Sequence, residues 1–379
     1  MKILFVCNSL EEGKDGIGDY TRKIAGECKA RGIAVVIVAF SDRYTSGMDG
    51  GIDINGSAYH RIPAAYPLAR REFELRAIMD RNLSFDWVSL QFVSYGLNHR
   101  GIVRAEIPVF SRLLKKCKTH VMVHELWVAE EHEASLKAKV LGKIQKHYIL
   151  SFLRTIKPRV IQTTIPLFQK MLVQAGIKAS LLPLFSNIDV RTTAPVDLKK
   201  IIPAPIVGSR KSYLIGCLFG SIYYTSWDLD SIFSKLQSYC QFTGKKLVIA
   251  SIGRIGHGQE FWNNLPDKYP DIEFLTLGEQ NENFISVWLT HFVDLGLVTA
   301  PALIAGKSGS CMAFLEHGIP VFCKKNDLTF NFQLTDDLID RRMNQIDEHS
   351  DFRLLPHSKP ISQLKNTVQT FINTLNNIQ

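Results

Sequence analysis

The apolar positions of the chain fall into short continuous runs separated by polar or amphipathic stretches. Residues 2–9 (KILFVCNS) and 33–40 (IAVVIVAF) are apolar almost throughout, the pattern of strands buried on both faces of a parallel sheet. Between them lie a glycine-bearing loop, LEEGKDGIGD, and the amphipathic YTRKIAGECKARG, which ends on a helix-stopping glycine. WVSLQFV (87–93), THVMVHEL (119–126) and RVIQTT (159–164) predict further strands, with helical material at 130–156. The rhythm restarts at YLIGCLFGSI (213–222), a helix at 228–243, KKLVIASIG (245–253) and IEFLTLG (272–278). A helix at 281–289, FVDLGLVTA (292–300), a helix within AGKSGSCMAFLEHGIPVF (305–322) and PVFCKK (320–325) follow. This alternation predicts an α/β chain of two doubly wound, Rossmann-like domains in series, at 1–188 and 213–357. The proline-bearing stretch 189–212 reads as a linker and 358–379 as a closing helix.

Composition agrees with two domains. At 379 residues the chain exceeds what one ordinary core supports. Its 46% hydrophobic content and mean hydropathy of +0.01 describe a soluble globular protein. No apolar run reaches the roughly 18–20 residues of a membrane helix. The opening MKILFVCNSL is followed by no A-x-A-like cleavage site and reads as a buried strand, so cytoplasmic residence is the expectation. The seven cysteines include no C-x-x-C pair, which points to reduced structural thiols rather than disulfides or a zinc site.

The net charge of +9 favours acidic partners. The basic stretches 69–81 and 111–120 lack the aromatic interleaving and motifs of a nucleic-acid module, which sets nucleic acid aside. They read as solvated helix faces, or as a surface for an anionic membrane. Arg70, Arg71, Arg76, Lys115 and Lys116 are then the charges that would make peripheral contact at the inner face.

Two strand-end loops carry candidate ligand chemistry. In residues 12–25, Gly16 and Gly18 allow close backbone approach, and a helix starting near Asp19 offers unpaired N–H groups. In residues 305–322, Lys307 precedes Ser308, Gly309 and Ser310 at a helix start, a composition suited to a diphosphate. A dinucleotide enzyme fits poorly. Thr21 interrupts G-x-G-x-x-G, and the second strand ends without an acid before Asp42.

Together these stretches resemble GT-B-fold glycosyltransferases, especially the family-4 (group 1) type. GIGDYTRKIA resembles that family's first loop and helix, and VMVHELW the strand end bearing its active-site histidine. LLPLFSNI resembles the strand leading to its hinge. LFGSIYYTSW, TLGEQNE and GKSGSCMAFLEHGIPV resemble successive parts of its nucleotide domain. The resemblance implies two Rossmann-like domains facing a cleft, with the closing helix crossing back to the N-terminal one. It implies a UDP- or GDP-sugar donor and a saccharide or lipid-linked acceptor, in polysaccharide or cell-envelope glycan synthesis. On the donor side it places Gly16, Gly18, Gly220, Ser221, Arg254, Gly278, Glu279, Lys307, Ser308, Gly309 and Ser310. For catalysis it offers His124, Glu125 and Asp19. No cofactor is implied beyond the nucleotide-sugar itself.

The sequence departs from family-4 at its paired glutamates. Counting back from Pro320 puts Ala313 and Ala305 at the two acid positions; Glu316, three residues later, is carried as a candidate for ribose contact. The basic pair usual after the first strand of the second domain is also missing, and Lys307 is the compensating charge. No metal site is expected, since the D-x-D at 228–230 (Asp228, Leu229, Asp230) sits where a helix cap belongs. Whether transfer retains or inverts configuration stays open. The alternative reading is a catalytically inactive GT-B-like subunit that binds nucleotide-sugar or serves as a scaffold. A phosphorylase lacks a pyridoxal-lysine motif. A non-hydrolysing epimerase lacks its cleft carboxylates and histidine pair.

Overall fold

The uninterrupted apolar runs form the central strands of two separate sheets. The computed structural model describes the whole chain apart from residues 54–55, 83, 191–197, 223–228, 327, 348 and 379 and the side chain at 199. Its contacts define two units. One comprises Met1–Pro183, Leu328–Thr335 and Leu364–Gln379, and the other Leu184–Asp327 and Asp336–Gln363.

In the first unit β1 (Lys2–Cys7) leads through α1 (Gly16–Ala30) to β2 (Ala34–Asp42), followed by β3 (Asp49–Ile52) and β4 (Ala58–Pro63). Next come α2 (Leu68–Arg81), β5 (Trp87–Phe92), α3 (Ser94–Leu97) and α4 (Glu106–Leu114). β6 (Thr119–Val123), α5 (Leu136–Ile156), β7 (Val160–Thr163), α6 (Pro166–Gln174) and β8 (Ser180–Leu181) complete this part. The strand order is β3-β4-β2-β1-β5-β6-β7-β8, parallel except for β3.

The second unit opens with α7 (Ala204–Gly208), β9 (Tyr213–Phe219), α8 (Leu229–Thr243), β10 (Lys246–Ile252) and α9 (Gln259–Lys268). β11 (Glu273–Thr276), α10 (Glu282–His291), β12 (Leu295–Val298), α11 (Ala302–Ala305) and α12 (Gly309–Glu316) follow. β13 (Val321–Lys324) and β14 (Met343–Ile346) end its sheet, ordered β11-β10-β9-β12-β13-β14 and parallel throughout. Numbered within the unit this is 3-2-1-4-5-6, the doubly wound order whose ligand crevice opens where the winding reverses, beside β9 and β12. α10 and α12 are buried nearly all round, whereas α8 buries one stripe. That stripe is Leu229, Ile232, Phe233, Leu236 and Cys240, the 3.6-residue period of an amphipathic helix.

The closing helix is shorter than 358–379. α13 spans Leu364–Asn376 and packs within the first unit. Phe371 reaches the Phe5 ring at 5.8 Å and the His120 ring at 5.1 Å, and Arg31, just after α1, donates to Gln369 and to the Lys365 carbonyl. The stretch read as a linker lies partly outside the described residues, but its end does not behave as one. Ile202 and Ile206 are buried in the core of the second unit, because the two isoleucines flanking Pro203 and Pro205 give α7 an apolar side. The exposed β3 and the half-exposed β4 and α9 carry too few buried positions to announce themselves in the sequence.

All seven cysteines are free, six of them buried. Among the described residues no His, Cys, Asp or Glu grouping could hold a metal ion, and no helix is long and apolar enough to cross a membrane.

Candidate functional site

Most of the donor-side residues assemble at one corner of the second unit, the carboxyl edge beside the β9/β12 switch point. β9 ends at Phe219, and the chain turns through Gly220 at φ +79°, a left-handed backbone that favours glycine. The Gly220 N–H donates to the Ile252 carbonyl at 2.8 Å, and a Cβ on Gly220 would stand 3.0 Å from Ser310 Oγ. The loop after β9 therefore lies directly against the first turn of α12.

That turn is capped by a serine. Ser308 is extended at the N-cap and its hydroxyl accepts from Cys311 N. Cys311 N–H is thereby occupied, and the N-terminal end of the helix dipole is presented beside half-buried Lys307. The neighbouring loops close the corner: Gly253 N donates to the Gly278 carbonyl at 2.8 Å, and Arg254 pairs with Glu279 at 3.1 Å. Both members of that pair are about half exposed, so it adds little stability and both remain at the surface. Gly220, Ser221, Arg254, Gly278, Glu279 and Lys307–Ser310 thus belong to one edge of one sheet. Tyr223–Asp228, including Asp228 of the D-x-D, lie outside the described residues; Asp230 pairs with Lys268 on the surface.

Glu316 does not join them. It sits at the far end of α12, buried, with its carboxylate accepting from Ser186 N at 2.7 Å and held also by Ser362 and Gln363. Burial pushes its carboxyl up while those donors pull it down. Its task is to tie two chain segments, near 186 and near 362, to the end of the helix. Contact with a ribose is therefore withdrawn. Ala305 and Ala313, the positions counted back from Pro320, are fully buried alanines.

The glycine loop of the first unit also differs from expectation. α1 begins at Gly16, not near Asp19, because Asp15 caps it and accepts from Ile17 N and Gly18 N at 3.0 and 2.9 Å. Those N–H groups are occupied. Gly18 is buried, and a Cβ there would lie 2.3 Å from the Ser9 carbonyl oxygen, so this glycine serves helix-to-strand packing rather than ligand approach. Gly16 is exposed at the helix start. Asp19 is ion-paired with Arg22 at 2.8 Å and accepts from Gly13 N, with burial pushing its carboxyl up. Asp42 is fully buried, receiving Leu10 N, Ser9 Oγ and Arg61, and so latches the β1–α1 loop.

His124 follows β6 at the carboxyl edge of the first sheet, and Glu125, half-buried, comes next. The imidazole packs edge-on to Tyr20 of α1, with ring centroids 4.9 Å apart, so the β1–α1 corner and the end of β6 are neighbours. Its Nε2 meets Gln91 Oε1 at 2.9 Å; Gln91 Nε2 donates to Ser89 Oγ, which meets His120 Nδ1 at 2.8 Å. With Gln91 oriented to accept, Nε2 of His124 carries the hydrogen and Nδ1 holds the lone pair. Burial, and secondarily His120, lowers the His124 pKa to about 3, so the ring is neutral at pH 7. Gln91 and Ser89 were missed in the sequence. Their only signal is polarity inside an otherwise apolar strand.

Of the five charges expected to meet a membrane, four are exposed and Arg71 is buried. Arg71 is buried beside the Phe40 ring, Arg70 stacks on Tyr66 and pairs with Glu74, and Arg76 pairs with Glu72. Lys115 and Lys116 are exposed.

Comparison with known proteins places this arrangement in a class. No family model matches the chain, and no curated protein matches its sequence. Among solved structures it is similar to HepE from Anabaena in complex with UDP, with a TM-score of 0.56 and 14% identity over 100% of this chain and 92% of HepE. It is similar also to α,α-trehalose 6-phosphate synthase from Burkholderia multivorans, with a TM-score of 0.52 and 13% identity over 86% and 84%. A glycosyltransferase from Rickettsia africae aligns with a TM-score of 0.52 and 12% identity over 100% and 93%. The fold is therefore the GT-B fold of glycosyltransferases, two parallel α/β units each wound in both directions.

Proposed function

We propose that the chain is a glycosyltransferase that moves a sugar from a UDP or GDP donor to a hydroxyl of a saccharide or lipid-linked acceptor, without a metal ion, in polysaccharide or cell-envelope glycan synthesis. The observation that carries this reading is the meeting of the Gly220 turn with the capped, lysine-flanked start of α12 at a topological switch point. The UDP complex of HepE, a protein of the same fold, supports a uridine donor.

Transfer breaks the bond between the sugar's anomeric carbon and the diphosphate, and joins that carbon to the acceptor oxygen. Charge grows on the departing diphosphate, where Lys307 and the helix N-terminus stabilise it. The loop with Gly278 and Glu279 takes the nucleoside. A neutral, weakly basic His124 is suited to hydrogen-bond and position the sugar rather than to accept a proton. Glu125, next to His124 at the end of β6, is assigned the acceptor proton.

Calorimetry with UDP and GDP tests the proposal. One of them is expected to bind, with Lys307→Ala weakening it at least severalfold at unchanged melting temperature. Saturation at a hundredfold excess over Kd adds about 2.7 kcal/mol of stability. Equal affinity of wild type and Lys307→Ala would refute the phosphate assignment. A second reading, a binding subunit without turnover, is favoured by the buried Ala305 and Ala313 at the positions counted back from Pro320. It predicts tight nucleotide binding and no release of diphosphate with any acceptor.

A further inference from the structure

The first half of α5 carries an exposed apolar stripe that no internal contact covers. Leu136, Val140 and Ile144 are 80%, 53% and 39% exposed, although α5 is a long helix packed into the first unit. Their spacing of four residues aligns them along one line about 12 Å long. His147, also exposed, continues the line by one turn.

The stripe faces outward because the opposite side of the helix is locked. At Gly142 the helix approaches Val128 so closely that a Cβ would stand 2.1 Å from its carbonyl oxygen. Gln145, fully buried, accepts from Val128 N and donates to Tyr95 Oη and the Arg100 carbonyl. Rotating α5 to hide the stripe would break these contacts.

The flanks of the stripe are cationic. Lys137 and Lys143 are exposed and stand about 60° to either side of Val140, at a helical advance of about 100° per residue. Lys139 and Lys146 lie further round, the first donating to the His132 carbonyl and the second paired with Glu130. α5 contains no acidic residue from Leu136 to Ile156.

We propose that this face of α5 docks onto an anionic lipid bilayer, its three aliphatic side chains entering the interface and Lys137 and Lys143 meeting the headgroup phosphates. A line of aliphatics edged by lysines is the pattern of an interfacial helix. A second copy of the chain is disfavoured, since a two-fold contact along the stripe would bring lysines against lysines. A nucleic acid finds neither stacking aromatics nor hydrogen-bonding groups among Leu136, Val140 and Ile144. The inference does not depend on the proposed transfer reaction, and its test needs no donor.

The full chain is sedimented with vesicles of phosphatidylcholine alone and with vesicles that also contain phosphatidylglycerol, at low and high salt. Binding is expected only to the anionic vesicles and is weakened by salt. The variant Leu136→Ser/Val140→Ser/Ile144→Ser is expected to lose at least tenfold in partitioning, and Lys137→Glu/Lys143→Glu a comparable amount. All of these residues are exposed, so both variants should keep the wild-type melting temperature. Partitioning unchanged in either variant would overturn the assignment. So would a protein that is a dimer in solution and becomes a monomer in the serine variant, or one that binds acidic polypeptide or nucleic acid but not vesicles.

Discussion

Gln91 Oε1 and His124 Nε2 lie 2.9 Å apart at the carboxyl edge of the first sheet, joining β5 to the end of β6. This contact fixes the hydrogen on Nε2. It also ends a chain of side chains running back through Ser89 to His120, whose pKa burial likewise lowers to about 3. In an NMR titration neither imidazole should protonate between pH 8 and pH 5. Gln91→Glu would set a carboxylate against His124, raise its pKa and bring its signal into that window. A wild-type His124 that titrates near its ordinary 6.5 would disprove the buried, neutral ring.

The same two histidines set a pH dependence of stability. Their folded-state pKa values lie below the unfolded value, so below about 6.5 the unfolded chain takes up protons that the folded one refuses. Their contribution is fully present above that pH and is lost as pH falls toward 3. Melting temperature followed over this range should decline, and less steeply in His120→Asn than in wild type.

His124→Ala is expected to lower kcat about 10²-fold with little change in nucleotide affinity, if the ring positions the sugar. A purely packing role predicts a lower melting temperature with near-normal turnover of the folded fraction. Measuring both on one preparation separates the two.

Gly220→Ala places a Cβ on a left-handed backbone facing Ser310 Oγ. A loss of about 1–2 kcal/mol in stability is expected, together with weaker nucleotide binding. Glu316→Ala makes the contrasting case. It orphans the buried Ser186 N–H, for a cost of about 1–3 kcal/mol, and should leave nucleotide affinity as it was. Chemical denaturation and calorimetry read both variants. Lost affinity in Glu316→Ala at full stability would reinstate that residue at the donor site.

Turnover, once an acceptor is found, should persist in EDTA. Restoration of a chelated enzyme by Mg²⁺ or Mn²⁺ would reopen the D-x-D at 228–230.

The apolar central strands, the α/β alternation that makes them parallel and the helix start at Lys307–Ser310 were legible in the sequence because they are written in the local pattern of residues. An unbroken apolar run must be buried on both faces, and a serine before a helix takes the nearest free N–H. What the sequence could not supply was the partner of each polar group. Glu316 resembles a ribose ligand until Ser186, 130 residues earlier in the chain, is found on its carboxylate. α1 starts at Gly16 under an Asp15 cap rather than near Asp19, and the sequence did not show Glu74, Phe40 and Glu72 beside Arg70, Arg71 and Arg76. The exposed stripe of α5 is likewise invisible in the periodicity, since Leu136, Val140 and Ile144 have the spacing of a buried face. Only the contacts of Gly142 and Gln145, made with residues outside the helix, decide which side of α5 meets the solvent. Periodicity states that a helix has an apolar face. Which face is covered is settled by packing between distant segments, where a polar group without a partner costs more than an exposed leucine.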